Sequence, residues 1–337
     1  MDMSRTRSLT PSYFVVGLPN VHVRIDSVFL KKMMIKASKN DRPHVDAIFI
    51  EKLGMKSSGR YVNNTVYAWT KYSKTVPLEK LAKIVELSDS SWEEVGQRII
   101  YMKAGQHGGH ALPKFPIIID EKLGSIIGHI MGDGSIDSKY KQVFYSNSRK
   151  ELLHEFSNNM KDVFGVEPRI WMQKEPAFGA TEWDRRLDNI SDLKEGRNCG
   201  LFYPSICGMM LNKIFDDFAN GKDKSLTETI LNSNKEFKRG LIRAFYDDEA
   251  SVGLKSSIRL FQNGRETLES FRVILGEFGI EASDVKSYIK TRKKRHYMDL
   301  HRKSNFVKFN KEIGFTSETK KERLRKIMII RNRHTSK

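Results

Sequence analysis

Thiols are nearly missing from this chain: Cys199 and Cys207 are the only two in 337 residues, and no CxxC occurs. That excludes a four-cysteine zinc cluster and a disulfide framework. The two thiols are expected to stay reduced and inert, as thiols do inside cells. Long hydrophobic runs are missing too, and none approaches the roughly 20 residues of a membrane span. The opening "MDMSRTRSLTPSYFVV" has no apolar core followed by small residues, so no signal peptide is read there. A cytoplasmic protein with no membrane contact is expected. What is present, 39% hydrophobic and 30% charged residues, suffices for a sizeable core and argues against wholesale disorder. The length predicts two or three domains.

Acidic residues are in short supply: 41 Asp and Glu face 59 Lys and Arg, a net charge of +18. The imbalance is concentrated, with 18 Lys/Arg against 5 Asp/Glu in residues 283–337. A field of that strength favours a polyanion, nucleic acid above all. A membrane surface fits less well, because the tail shows no amphipathic aromatic face.

Residues 1–103 read as an all-α, N-terminal unit. Val45, Ile48, Phe49 and Leu53 recur at helical spacing, with Gly54 as a stop. "VNNTVYAWTKYSK" (62–74) is a second, basic helix. Pro77 opens a third, with Leu78, Leu81, Ile84 and Val85 on one side. Ser91 with Glu94 caps a fourth over 90–102. Short helices with a basic second member are open to a helix-turn-helix reading and equally to a bundle that never touches DNA. Residues 104–116, "AGQHGGHALPKFP", read as a linker. His107 and His110 form a lone HxxH there, a pattern more often solvated than metal-binding.

Beyond the linker the chain repeats itself. A shift of 116 residues brings Gly128 onto Ala244, Asp133 onto Glu249, Ser135 onto Ser251, Asn147 onto Asn263 and Arg149 onto Arg265. "IIGHIMGDGSI" thus aligns with "IRAFYDDEASV", and "FGVEP" later meets "FGIEA". Each copy reads helix, strand, strand, helix, strand, strand, helix, in half-domains at 117–222 and 223–337. Residues 174–198 are a polar insertion in the first copy, read as a surface loop.

Why would "LGSIIGHIMGDGSID" place glycines inside a helix and an acid at its end? Glycine costs about 1 kcal/mol in a helix interior. Gly128 and Gly132 lie four apart on one face, and their counterpart Ala244 is small. Small residues on one face let two backbones approach closely. If the two motif helices meet about a pseudo-twofold axis, Asp133 and Glu249 emerge together at one end. Two carboxylates that close repel unless cations separate them, and oxygen donors of this kind suit Mg²⁺.

The pair "IIGHIMGDG" and "IRAFYDDEA" resembles the two motifs of LAGLIDADG homing endonucleases in their single-chain, double-motif form, closest to archaeal free-standing members. The resemblance covers about residues 117–325. It implies an α+β fold of two pseudo-symmetric αββαββα half-domains, with the motif helices as interface and the sheets forming a saddle on the DNA major groove. It implies a monomeric, metal-dependent endonuclease that cuts both strands of a long asymmetric site, as in intron homing. Asp133 and Glu249 would bind Mg²⁺ or Mn²⁺. Two departures stand out: Ala250 replaces the usual glycine, and Asp248 stands opposite Gly132 where alanine is common. Asp248 is either a second acid near the metal or a solvent-facing side chain. The basic residue that assists cleavage would lie in "DLHRKSN", as Arg302 or Lys303, and Gln262 could orient water. Base and phosphate contacts would come from Arg169, Arg259, Lys290, Arg292 and Lys293, with "KKERLRKIMIIRNRH" as a phosphate clamp.

Two other function classes bear on the same residues. A non-cleaving protein of this fold, an intron RNA maturase or a transcription regulator, would bind host intron RNA or DNA without using the acids. A self-splicing intein is not expected, because position 1 is no nucleophile and the end "NRHTSK" lacks a His-Asn pair.

Overall fold

The computed structural model describes residues 8–55, 60–105, 109–173, 183–221, 223–253, 257–290 and 293–334. His107 and Arg292 lie outside them. No helix among them is long and apolar enough to cross a membrane.

The N-terminal unit is not all-α. After β1 (Ser8–Leu9), strand β2 (Val21–Ile25) buries Val21, Val23 and Ile25 and leaves His22 and Arg24 half-exposed, the two-residue period of a sheet. Helices α1 (Ser27–Ser38), α2 (Ala47–Lys52) and α3 (Arg60–Lys71) follow, then β3 (Val76–Pro77), α4 (Leu78–Leu87) and α5 (Trp92–Arg98). α4 buries its four expected residues, and Ser91 caps α5 by accepting the Glu94 amide at 3.1 Å. The fourth helix nevertheless stops at Arg98. Ile99–Ala104, with its β-branched and aromatic residues, is strand β4, paired with β2. The "linker" contributes β5 (His110–Ala111), so the sheet runs β3-β2-β4-β5.

The linker region is also bound to the first half-domain. The amides of Leu112 and Lys114 donate to the carbonyls of Phe164 and Val163 at 2.8 and 3.2 Å. His110 packs on the Tyr101 ring at 5.0 Å, a structural role. Strand β6 (Ile117–Ile118) pairs with β1 and completes the junction.

The two half-domains follow the expected order. The first has α6 (Glu121–Met131), β7 (Gly134–Ile136), β8 (Val143–Asn147), α7 (Lys150–Phe164), β9 (Arg169–Gln173), β10 (Trp183–Leu187), β11 (Cys199–Tyr203) and α8 (Ser205–Ile214). A small hairpin, β12 (Ala219–Asn220) and β13 (Asp223–Lys224), and a short helix α9 (Glu228–Leu231) lead to the second. There α10 (Lys235–Glu249), β14 (Ala250–Gly253), β15 (Ser257–Gln262), α11 (Arg265–Glu277), β16 (Lys286–Lys290), β17 (Lys293–Leu300) and α12 (Lys303–Glu312) repeat the pattern, and α13 (Glu318–His334) closes the chain. Both sheets are antiparallel with equivalent strand order, β7-β8-β11-β9 and β14-β15-β17-β16. The insertion is more than a surface loop, because β10 extends the first sheet at its edge.

Helices α6 and α10 form the axis, backbone against backbone. A Cβ at Gly124 would lie 2.0 Å from the Phe237 carbonyl oxygen. One at Gly128 would lie 2.4 Å from that of Leu241, and one at Gly240 would lie 2.0 Å from that of Glu121. Gly124 and Gly240 are themselves 116 residues apart, a further match within the repeat. One buried ion pair crosses the interface: His129 Nδ1 lies 3.0 Å from Asp248 Oδ2, both side chains fully buried, with Glu155 3.8 Å from Nε2. Burial alone lowers an imidazole pKa. The charges of Asp248 and Glu155 outweigh it and raise that of His129 to about 10.

Two predictions follow from this interface. Gly124→Ala and Gly240→Ala should each destabilise the protein by about 1–3 kcal/mol in chemical denaturation, the usual range for overpacking. Gly276→Ala, in α11 with open space at its Cβ, should stabilise by about 0.5–1 kcal/mol. Loss of stability at all three positions, or at none, contradicts the close contact. His129→Gln should cost about 3–5 kcal/mol at neutral pH by leaving Asp248 unpaired. The folded-state pKa lies above the unfolded 6.5, so the ion pair's contribution is complete below pH 6.5 and declines as pH rises towards 10. The gap between wild type and variant should narrow over that window.

Candidate active site at the paired helix ends

α6 ends at Met131 and hands the chain through Gly132 and Asp133 into β7, while α10 ends on Glu249 and passes directly into β14. Because the helices pack side by side, these ends meet. Burial is the first cause that lifts the Asp133 pKa, to about 6, with the charge of Asp248 adding to it. Burial likewise raises Glu249 to about 7, helped by the charges of Asp133 and Asp248. The expected acids therefore share one electrostatic environment.

Asn147, at the end of β8, donates from Nδ2 to Asp133 Oδ2 at 3.1 Å and fixes that carboxyl. Asp248 is neither solvent-facing nor free to bind an ion. Its Oδ2 meets His129 and its Oδ1 accepts from Tyr145 Oη at 2.9 Å and Asn147 Nδ2 at 3.3 Å. Gly132 makes room for it, since a Cβ there would lie 2.6 Å from Asp248 Oδ2.

Two lysines that the sequence did not single out lie at the same place. Lys224, on β13, donates to the Met131 and Gly132 carbonyls at 3.3 and 2.8 Å. Burial lowers its pKa, opposed by the charges of Glu249, Asp133 and Asp248. Lys320, on the first turn of α13, donates to the Tyr246 and Asp247 carbonyls at 2.9 and 2.5 Å. Burial brings it down to about 8 against the pull of Asp247. Each lysine thus caps the C-terminal end of one motif helix, where lone carbonyls and the helix dipole favour a cation. Asp247 puts α13 in position by accepting the amides of Thr316 and Ser317 at 2.7 and 3.1 Å.

The other expected site residues make contacts of their own. Arg302 is engaged in an exposed ion pair with Glu281 at 2.6 Å, and Lys303 opens α12. Gln262 ends β15 opposite His296 and accepts the Asn263 amide. Among the described residues, none of these three makes a hydrogen bond or ion pair to Asp133 or Glu249. The lysines whose charge reaches both acids are Lys224 and Lys320, and the charge of His129 also reaches Asp133. Arg259 is committed to Asp299, at 2.7 and 3.1 Å, and lies over the Tyr297 ring at 4.4 Å. Arg169 begins β9 in an exposed position, and Lys290 pairs in register with Lys293 at the β16–β17 turn.

Asn147 was within reach of sequence reasoning, because it aligns with Asn263 in the repeat. The lysines were not, since they grip backbone carbonyls and lie at unequal distances from their acids.

Parts of this chain are similar to known proteins. The model of a LAGLIDADG-like domain matches residues 120–197 and again 236–314, one match per half. The chain is 28% identical over 221 residues to the DNA-directed RNA polymerase subunit Rpo1C of Methanocaldococcus jannaschii, covering 65% of this chain and 22% of that protein. It is 26% identical over 268 residues to that organism's glutamine–fructose-6-phosphate aminotransferase, covering 76% and 21%. With the replication factor C small subunit of Thermococcus kodakarensis it shares 25% over 223 residues, covering 65% and 22%. The chain spans about a fifth of the length of these relatives. Among solved structures, I-DmoI in complex with DNA and Mn matches at 14% identity and TM-score 0.40, over 58% of this chain and 97% of that one. The N-terminal LAGLIDADG domain of DUF199/WhiA matches at 14% and 0.39, over 61% and 87%. The chain thus carries two stretches similar to a LAGLIDADG-like domain, one on each side of the α6–α10 axis.

Proposed function

We propose that this protein is a site-specific, metal-dependent endonuclease that hydrolyses phosphodiester bonds in both strands of a long, asymmetric DNA duplex. The observation that carries the reading is the meeting of Asp133 and Glu249, one from each half, between two lysines. A related site on each side of a pseudo-twofold axis suits a substrate whose two strands are themselves related by a twofold.

The donor set fits a hard divalent cation. Its ligating groups would be carboxyl oxygens, whose pKa values are raised first by burial and then by the charge of neighbouring acids. Among the described residues no group of three or more His, Cys, Asp and Glu is arranged to hold a metal. That suits Mg²⁺ or Mn²⁺, which accept one or two carboxylates and leave room for water and substrate phosphate, better than Zn²⁺ with its protein-rich shell. Asp133 and Glu249 would hold such an ion, which supplies positive charge at the scissile phosphate. The remaining work falls to the chain's own groups. Asn147 orients the Asp133 carboxyl. Lys224 and Lys320 offset the charge that gathers on the phosphate oxygens in the transition state. Asp248, locked by His129 and Tyr145, holds the framework.

The relatives support a mobile-element reading. A polymerase subunit, an aminotransferase and a replication factor share no activity, yet each contains a stretch similar to this chain. A segment found in such unlike proteins behaves as a module that moves independently of its host, as homing requires.

The test uses a duplex of the DNA sequence at the encoding locus, joined without the gene. Wild type should cut it in Mg²⁺ or Mn²⁺. Asp133→Asn and Glu249→Gln should each bind it as well as wild type and lower the cleavage rate by at least about a hundredfold. Cleavage at the wild-type rate by either variant removes that acid from the mechanism. Tight binding by wild type without cutting in either metal favours the second reading, a nucleic-acid-binding protein of the same fold.

A further inference from the structure

The N-terminal unit carries clefts that the acid site does not use. One, of about 690 Å³, opens beside α3 and is lined by His22, Asn64, Trp69, Lys74, Lys80 and Lys103. A second, of about 360 Å³, shares His22 and Pro77 with it and continues along residues 17–20. A third, of about 560 Å³, shares the wall at 17–20 and crosses to the first half-domain, where Lys139, Tyr140, Lys141 and Lys213 line it. The clefts are joined wall to wall, from the β7–β8 turn to α3.

Charge along this route is one-sided. Six lysines face only two lining carboxylates, Asp217 and Glu79, and Glu79 is engaged with Lys80 at 3.3 Å. The heads of Lys139 and Lys213 lie over the rings of Tyr140 and Tyr13 at 4.9 and 5.5 Å, and Lys141 donates to Asn220 at 3.3 Å. Those contacts hold the cations without cancelling their charge. Compact ammonium groups on long stems, strung along a groove, suit successive phosphates more than one small anion. They would position a backbone without reading bases. Lys139 and Lys141 sit in the turn of a motif strand pair, so the route begins where the first motif sheet ends.

We propose that this route binds the phosphate backbone of duplex DNA running past the first half-domain, so that the N-terminal unit extends the protein's hold beyond the motif sheets. The proposal rests on DNA being the substrate of the acid site.

Binding is measured against salt concentration with two mixed-sequence duplexes, of about 20 and about 45 base pairs, without divalent metal. Each neutralised phosphate contributes about 0.9 to the slope of log K against log [salt]. Wild type should show the steeper slope on the longer duplex. The triple variant Lys74→Ala, Lys80→Ala, Lys103→Ala should lose up to about 2.7 of that slope on the longer duplex and nothing on the shorter. Lys139→Ala with Lys141→Ala should lose up to about 1.8. Wild-type melting temperatures for both variants show that they fold. Equal wild-type slopes on the two duplexes overturn the proposal. Unchanged slopes in both variants, equal losses on both lengths, or tighter binding of a 45-nucleotide hairpin RNA do so too. Failure to bind either duplex is a different result, because it removes DNA as the substrate altogether.

Discussion

Contact between the backbones of α6 and α10 is the constraint from which the rest of the structure follows. Glycine at 124, 128 and 240 makes the approach possible, and each weakens its own helix by about 1 kcal/mol relative to alanine. Close packing has an electrostatic consequence as well. Both helices end at the same place, so two negative dipole ends meet there with Asp133, Asp247, Asp248 and Glu249. Left alone, such an assembly would drive the ends apart. His129 inside the interface and Lys224 and Lys320 at its rim oppose that repulsion, and all three are held by buried partners. Asp133 and Glu249 still have raised pKa values, through burial first and the charge of neighbouring acids second.

The run "YDDEA" shows how helical geometry divides labour among adjacent acids. Successive residues on a helix point about 100° apart, so Asp247, Asp248 and Glu249 cannot share a task. Asp247 turns towards α13 and caps it. Asp248 turns towards α6, into His129 and Tyr145. Glu249, last on the helix, is left at the open end. Composition alone would rank the three alike; the repeat register separates them, because only Glu249 stands where Asp133 stands in the first copy.

That register explains what was legible. A duplicated half prints its pattern twice, and coincidences at Gly128, Asp133, Asn147 and Arg149 are hard to produce otherwise. The helix pair, the order of elements along each half and the matching register of Asp133 and Glu249 could all be read from it. The N-terminal sheet could not, because β2 is five residues long and its partners, Val76–Pro77 and Ile99–Ala104, lie far along the chain. Pairing of that kind leaves only a brief alternation in "VHVRI". The lysines left no mark, since their acceptors are carbonyls that every residue possesses.

The basic tail shows what a charge count leaves out. Residues 283–337 hold much of the excess positive charge, and the sequence raises the expectation of a phosphate clamp there. In the folded chain α13 is a docked helix. Leu324 and Ile327 are buried beneath it, and Lys320, itself buried, points into the helix end rather than outward. The charge most important to the candidate chemistry is thus one that a surface potential would barely register. Net charge describes how a protein meets a polyanion at a distance. What it does on contact depends on the few cations whose positions the fold has fixed, and here those positions trace back through Asp247 and α13 to the glycines of the central helix pair.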